Sequence, residues 1–168
     1  HKIILKNVGL IDPLDIEDAI KAGAYRSLAQ VLAEMSSEEV IGMVTVSGLR
    51  GRGGGGFPTG FKWRKAMENA WESPGPVFIV ANGDEGDPGA FMDRAVLEAD
   101  PFRVVEGLTI AAYAVGAREG FLYVRREYPV AVRHVRAAIE SATAAGLLGE
   151  RVLGHAFAFS LQVREGAG

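Results

Sequence analysis

From residue 77 onward the chain alternates between two hydrophobic periods, and this narrows the possible folds more than any other feature. "VFIVAN" (77–82) is a short β-branched apolar run, which reads as a buried strand. "PFRVVEGLTIAAYAVGA" (101–117) is helical in period, "FLYVRR" (121–126) reads as a strand, and "PVAVRHVRAAIESATAAG" (129–146) as a helix opened by Pro129. "FAFSLQVRE" (157–165) alternates as a third strand. Strands separated by helix-length crossovers imply a parallel sheet with helices packed on it.

The N-terminal part reads differently. Residues 2–10 suggest a short strand or extended arm, stopped by Asp12 and Pro13. "DIEDAIKAGAYRSLAQVLAEM" gives two helices broken at Gly23. Ser36 and Glu39 have the spacing of a capping box, which starts a third helix over 37–46. A further helix is expected from Thr59 to Trp71. The fold class is therefore α/β: a Rossmann-like parallel sheet with covering helices, preceded by a helical N-terminal portion and a glycine-rich loop.

The composition excludes several functions. Forty-eight per cent of the 168 residues are apolar, enough for a packed core and too many for a disordered chain. The net charge of -3 gives no reason to expect nucleic acid or an acidic membrane surface as partner. With no cysteine, the segment supplies neither thiol catalysis nor cysteine ligands for an iron–sulfur cluster. No apolar run reaches the length of a membrane span, and "HKIILKNVG" lacks the form of a signal peptide. A start at His1 and a stop at "REGAG" suggest a chain cut from a longer one.

Seven glycines fall within residues 48–60, in "GLRGRGGGGFPTGFKW". Gly51, Gly53 and Gly56 satisfy G-x-G-x-x-G, but a helix precedes them where the dinucleotide fingerprint needs a strand. Phe61 stands where a nucleoside-triphosphate loop needs lysine. Consecutive glycines can still bare backbone amides to a flat or anionic ligand. Arg50, Arg52 and Lys62 add positive charge, and Phe57 adds an aromatic face. That set suits a large planar cofactor carrying phosphate; the alternative is a mobile linker, against which the Phe, Trp and Pro residues argue.

The second cluster, "ANGDEGDPGAFMDR" (81–94), begins where the first strand ends. In open parallel sheets ligands sit beyond the carboxyl ends of strands, which places Asn82, Asp84, Glu85 and Asp87 well for hydrogen bonding to ring or ribose groups. A divalent metal site, or an acidic turn in which Asp93 and Asp87 cap the next helix, are the alternatives. His134, beside Arg133 and Arg136, reads as part of a solvated helix face.

Four stretches, "SGLRGRGGGGFPTGFKW", "ANGDEGDPGAFMDR", "GAREGFLYVRREYP" and "REGAG", occur in the order found in a known family. Together they are spread from residue 47 to residue 168. The sequence resembles the NADH-oxidising flavoprotein subunit of respiratory complex I and the related diaphorase subunits of NAD(P)-linked hydrogenases and formate dehydrogenases. The resemblance implies non-covalent FMN held by the glycine loop and the 82–85 turn, with NAD(P)H stacked on it. Hydride would pass to the flavin N5 and electrons would leave singly for iron–sulfur clusters outside this segment. Carried over by position, Gly51, Arg52, Gly53, Gly54, Gly56, Lys62, Asn82, Asp84 and Glu85 match the flavin environment. Phe57 matches a dinucleotide-stacking aromatic and Asp87 an acidic nucleotide contact.

The departures are Gly55 for the usual alanine, Asp87 for a glutamate, and Lys65 where complex I relatives often carry a second stacking aromatic. The resemblance divides the chain into a helical portion (1–47) and an incomplete FMN/NAD-binding α/β domain (48–168). It implies a "CGEE" segment and an iron–sulfur domain beyond residue 168, partner subunits carrying iron–sulfur clusters, and no direct insertion into membrane. The implied location is cytoplasmic, or peripheral on the inner face of the membrane through partners. A self-contained flavin reductase and a non-catalytic nucleotide-binding or docking module are the competing readings.

Overall fold

In the computed structural model, residues 3–72 and 75–166 are described. Lys2, at the start of the expected arm, and the last two residues of "REGAG" lie outside them. The described residues form seven α-helices and three strands. In order these are α1 (Ile16–Lys21), α2 (Arg26–Glu34), α3 (Ser37–Val46), α4 (Thr59–Glu72), β1 (Phe78–Gly83), α5 (Met92–Ala99), α6 (Pro101–Val115), β2 (Glu119–Arg125), α7 (Pro129–Ala144) and β3 (Ser160–Gly166).

Local chemistry accounts for most boundaries. Asp15 accepts from the Glu17 and Asp18 amides at the start of α1, satisfying donors that the first turn leaves open. At α3 the expected capping box is complete: Glu39 N–H donates to Ser36 Oγ at 3.3 Å, and Ser36 N–H to Glu39 Oε2 at 2.7 Å. Pro101 and Pro129 occupy the first positions of α6 and α7.

The strands are parallel in the order β1-β2-β3, with Val80 opposite Phe121 and Phe121 opposite Gln162. The alternating face carrying Ile79, Ala81, Leu122, Val124, Leu161 and Val163 packs into the core with α5, α6 and α7. Among the described residues the other face carries no helix: Val80 is 65% exposed and Phe78 45%, and Tyr123 is also open. Helix α6 links the layers, touching the sheet on one side and α2, α3 and α4 on the other. Its Phe102, Val105 and Ala112 are fully buried in a core that also takes Leu28, Leu32 and Phe159.

Three expectations are corrected. Residues 3–10 form turns rather than a strand: Arg103 Nη1 donates to the Ile3 and Ile4 carbonyls, and Asn7 Nδ2 to Asp100 at 2.7 Å. The arm is thus held by its own turns, Val8 N–H donating to Leu5 O and Leu10 N–H to Asn7 O, and by side chains near the start of α6, not by a neighbouring strand. β3 begins at Ser160 and not at residue 157, because Phe159 pairs with Gly149 in an isolated antiparallel bridge. His134 is buried rather than solvated, 9% exposed, with Nδ1 2.7 Å from the Glu98 carbonyl of α5.

Candidate functional site

The glycine loop is closed at its neck. Arg50 and Pro58 form an antiparallel bridge, Gly51 N–H donates to Phe57 O at 2.9 Å, and Thr59 N–H to Leu49 O at 2.9 Å. Arg50 Nε donates to the Gly56 carbonyl and Arg52 Nη1 to the Arg50 carbonyl. Two arginine side chains thus brace the loop from within, which a free linker would not do. At the tip, a Cβ added to Gly53, Gly54 or Gly55 would meet no atom within 4 Å. Gly54 has φ +97° and Gly56 φ +56°, a region that L-residues rarely adopt.

Behind the loop lies a cavity of ≈ 510 Å³ whose walls include Gly51, Phe57, Lys62, Trp63, Phe78 and Val80. The loop therefore faces the first half of β1. The second half, Ala81 to Gly83, borders a smaller cavity of ≈ 170 Å³ with Asp93 and Leu97 of α5. Strand β1 is what connects the two sequence clusters: Gly51, Phe57 and Lys62 flank its start and Asn82 stands at its end. Arg52, Gly53, Gly54 and Gly56 belong to the loop, exposed except for the half-buried Gly56.

At the end of β1, Asn82 Oδ1 accepts from Asp84 N–H at 3.0 Å, folding the chain into a turn. Asp84 Oδ1 is buried and has no hydrogen-bond partner. Glu85 is 9% exposed, and its carboxylate accepts from the backbone amides of Met92 (2.7 Å), Asp93 (3.0 Å) and Arg94 (3.3 Å). It caps α5 from seven residues upstream, because the residue at the cap position is Phe91, in a left-handed conformation with no side-chain acceptor. Asp93 lies inside the first turn of α5 and Asp87 is exposed, so neither caps that helix as the sequence suggests. Burial pushes the Glu85 carboxyl up, but the Asp93, Arg94 and Met92 amides and the Tyr128 hydroxyl outweigh it and hold it below the ordinary carboxylate range. Asp93 shifts upward, through burial and then the nearby Glu85 charge.

Arg125, which sequence reasoning missed, braces this turn. Standing at the end of β2, it donates from Nη1 to the Glu85 carbonyl at 2.7 Å, and its guanidinium lies 5.6 Å from the Tyr128 ring centroid. A signal for it exists, since Arg125 ends a strand whose neighbour carries the acidic turn. Phe61, four residues after Phe57, is the other residue missed; the two rings meet edge to face at 5.8 Å. Among the described residues no group of three or more His, Asp or Glu is gathered as a metal ion would need. No described helix is long and apolar enough to cross a membrane.

A family model described as the Nuo51 FMN-binding domain matches residues 44–168, a span running from the end of α3 through the glycine loop to β3. The chain belongs to this family. It is 48% identical over 99% of its length to the NADP-reducing hydrogenase subunit HndC of Solidesulfovibrio fructosivorans, of which it covers 33%. It is 46% identical over 91% of its length to an NADH-quinone oxidoreductase subunit of Aquifex aeolicus, covering 35% of that protein. The chain thus spans about a third of the length of these curated relatives. Among solved structures, an air-oxidised NAD+-reducing [NiFe]-hydrogenase superposes with a TM-score of 0.63 at 36% identity, over 84% of this chain and 24% of that one. The relatives are subunits of larger enzymes, and the α/β fold agrees with that neighbour.

Proposed function

We propose that this chain is the FMN- and NAD(P)H-binding part of an NADH dehydrogenase-type flavoprotein subunit. The observation that carries this reading is the braced loop, whose Gly53, Gly54 and Gly55 have open space beyond each Cα, beside an aromatic-lined cavity at β1. A glycine backbone with no side chain in the way lets a phosphate approach its amides, and Arg52 and Lys62 supply positive charge. The buried, partnerless Asp84 Oδ1 fits a donor from a flavin or its ribityl chain, since a buried acceptor left unmet is costly. The residues present therefore fit the group, with Gly51, Arg52, Gly53, Gly54, Gly56, Lys62, Asn82, Asp84 and Glu85 holding FMN and Phe57 and Asp87 receiving the nicotinamide nucleotide. FMN held there would supply the redox chemistry, an exchange between two-electron hydride donors such as NAD(P)H and one-electron acceptors such as iron–sulfur clusters elsewhere.

The chain's own groups bind and orient. Phe57 offers a ring face beside Lys62, Glu85 ties the turn after β1 to the start of α5, and Arg125 holds that turn through the Glu85 carbonyl. No side chain is required as nucleophile. Partner subunits with iron–sulfur clusters and a cytoplasmic or membrane-peripheral location complete the proposal. The 48% identity to a protein named an NADP-reducing hydrogenase subunit favours a hydrogenase-linked diaphorase as the specific variant of this reading.

Purification of the full-length gene product tests it. The expected result is a yellow protein releasing FMN on denaturation, with visible absorbance bleached by NADH or NADPH. A colourless protein that takes up no added FMN would remove the proposal.

A further inference from the structure

Outside the loop cavity lies a second, open cleft of ≈ 380 Å³ lined by Phe57, Phe61, Lys62 and Lys65. Phe57 and Lys62 belong to the walls of both spaces, so the two adjoin across that pair. The Phe57 and Phe61 rings are 54% and 52% exposed, inclined at 61° to one another. Each therefore keeps a face toward solvent. An exposed ring face beside ammonium groups matches a purine nucleotide, with the base stacked and the phosphates paired.

Position on α4 makes the match more specific. Phe61 and Lys65 are four residues apart, on one helix face and separated by about 6 Å along the axis. Lys62 follows Phe61 directly and lines both spaces, whereas Lys65 lines the outer cleft alone. A base resting on Phe61 thus has one cation at the passage to the flavin-side cavity and another nearly one turn further along the helix. Those positions suit the 5′-phosphate chain and the 2′-phosphate of one adenosine. Lys65 Nζ pairs with Glu68 at 2.7 Å, both side chains being partly exposed (57% and 35%). Such surface pairs are worth little, so a dianionic phosphate can displace Glu68.

We infer that Phe61 and Lys65 form a site for 2′-phosphorylated adenosine, so that the chain selects NADPH over NADH. This rests on the reading of the chain as a nucleotide-binding flavoprotein subunit. The test titrates the full-length gene product with adenosine 2′,5′-bisphosphate and with AMP, which differ only in the 2′-phosphate. The bisphosphate should bind tighter than AMP by about two- to fivefold, the scale of one exposed charge pair. Lys65→Gln should erase that preference and leave AMP binding unchanged, and Glu68→Gln should widen it by freeing the lysine. Phe61→Leu should weaken both probes by the same factor. Equal affinities in the native protein, or a preference that survives Lys65→Gln, would overturn the inference. So would binding of neither probe, while FMN content in the same preparation reports separately on the proposed function.

Discussion

Glu85 stands in an acidic turn that suits a ligand, and the structure gives it a structural duty as well. Its carboxylate serves three amides at the start of α5, so Glu85→Ala should cost about 1–3 kcal/mol in urea unfolding of the full-length gene product. The folded carboxyl titrates below its unfolded value. Its contribution is therefore complete above the unfolded carboxylate range and is lost as pH falls through the lower, folded value. The gap between native and Glu85→Ala proteins should accordingly shrink on acidification below about pH 4; a gap that held constant in acid would show the charge to be irrelevant. Gly60 is a second residue with a single physical reason. A Cβ there would lie 2.7 Å from both the Cα and the N of Thr45 on α3, and closer still to its Oγ1. Because backbone cannot rotate away, Gly60→Ala should force α3 from α4 and cost about 1–3 kcal/mol. An unchanged melting temperature would contradict this packing.

The elements legible in the sequence are those with local signals. Ser36 and Glu39 mark the start of α3, Pro101 and Pro129 the starts of α6 and α7, a β-branched run marks β1 and an aromatic-rich apolar run marks β2. Helix α5 is legible only as something for Asp93 to cap, because its real cap comes from Glu85, seven residues before its first residue, and no short-range pattern encodes that. The N-terminal arm escapes for the same reason: the partner of its Ile3 and Ile4 carbonyls is Arg103, about a hundred residues away. His134 reads as solvated beside two arginines, yet its ring reaches the last turn of α5. Within the sheet, alternation gives a direct test. Leu122 is 1% exposed and Val80 65%, so Leu122→Ala should destabilise by about 2–5 kcal/mol and Val80→Ala by less than about 0.5 kcal/mol. Comparable losses at both positions would mean that the open face is covered.

At the scale of the whole molecule, a helical layer and a one-sided parallel sheet bring the glycine loop against β1. The glycine loop and the acidic turn are recognisable from their residues; that β1 joins them, with one cluster at each end, requires the fold. For the central claim, that the loop tip is ligand space, Gly53 is a cleaner probe than Gly54. A valine at Gly54 would be strained at φ +97° whatever binds there, whereas a Cβ at Gly53 meets nothing in the protein and its φ lies outside the strained range. The decisive measurement is therefore FMN titration of the native and Gly53→Val full-length gene products, with thermal melts of both apo forms. Apo melting should be unchanged and FMN affinity reduced at least about a hundredfold, or about 3 kcal/mol. Equal FMN affinity in the two proteins would contradict the claim.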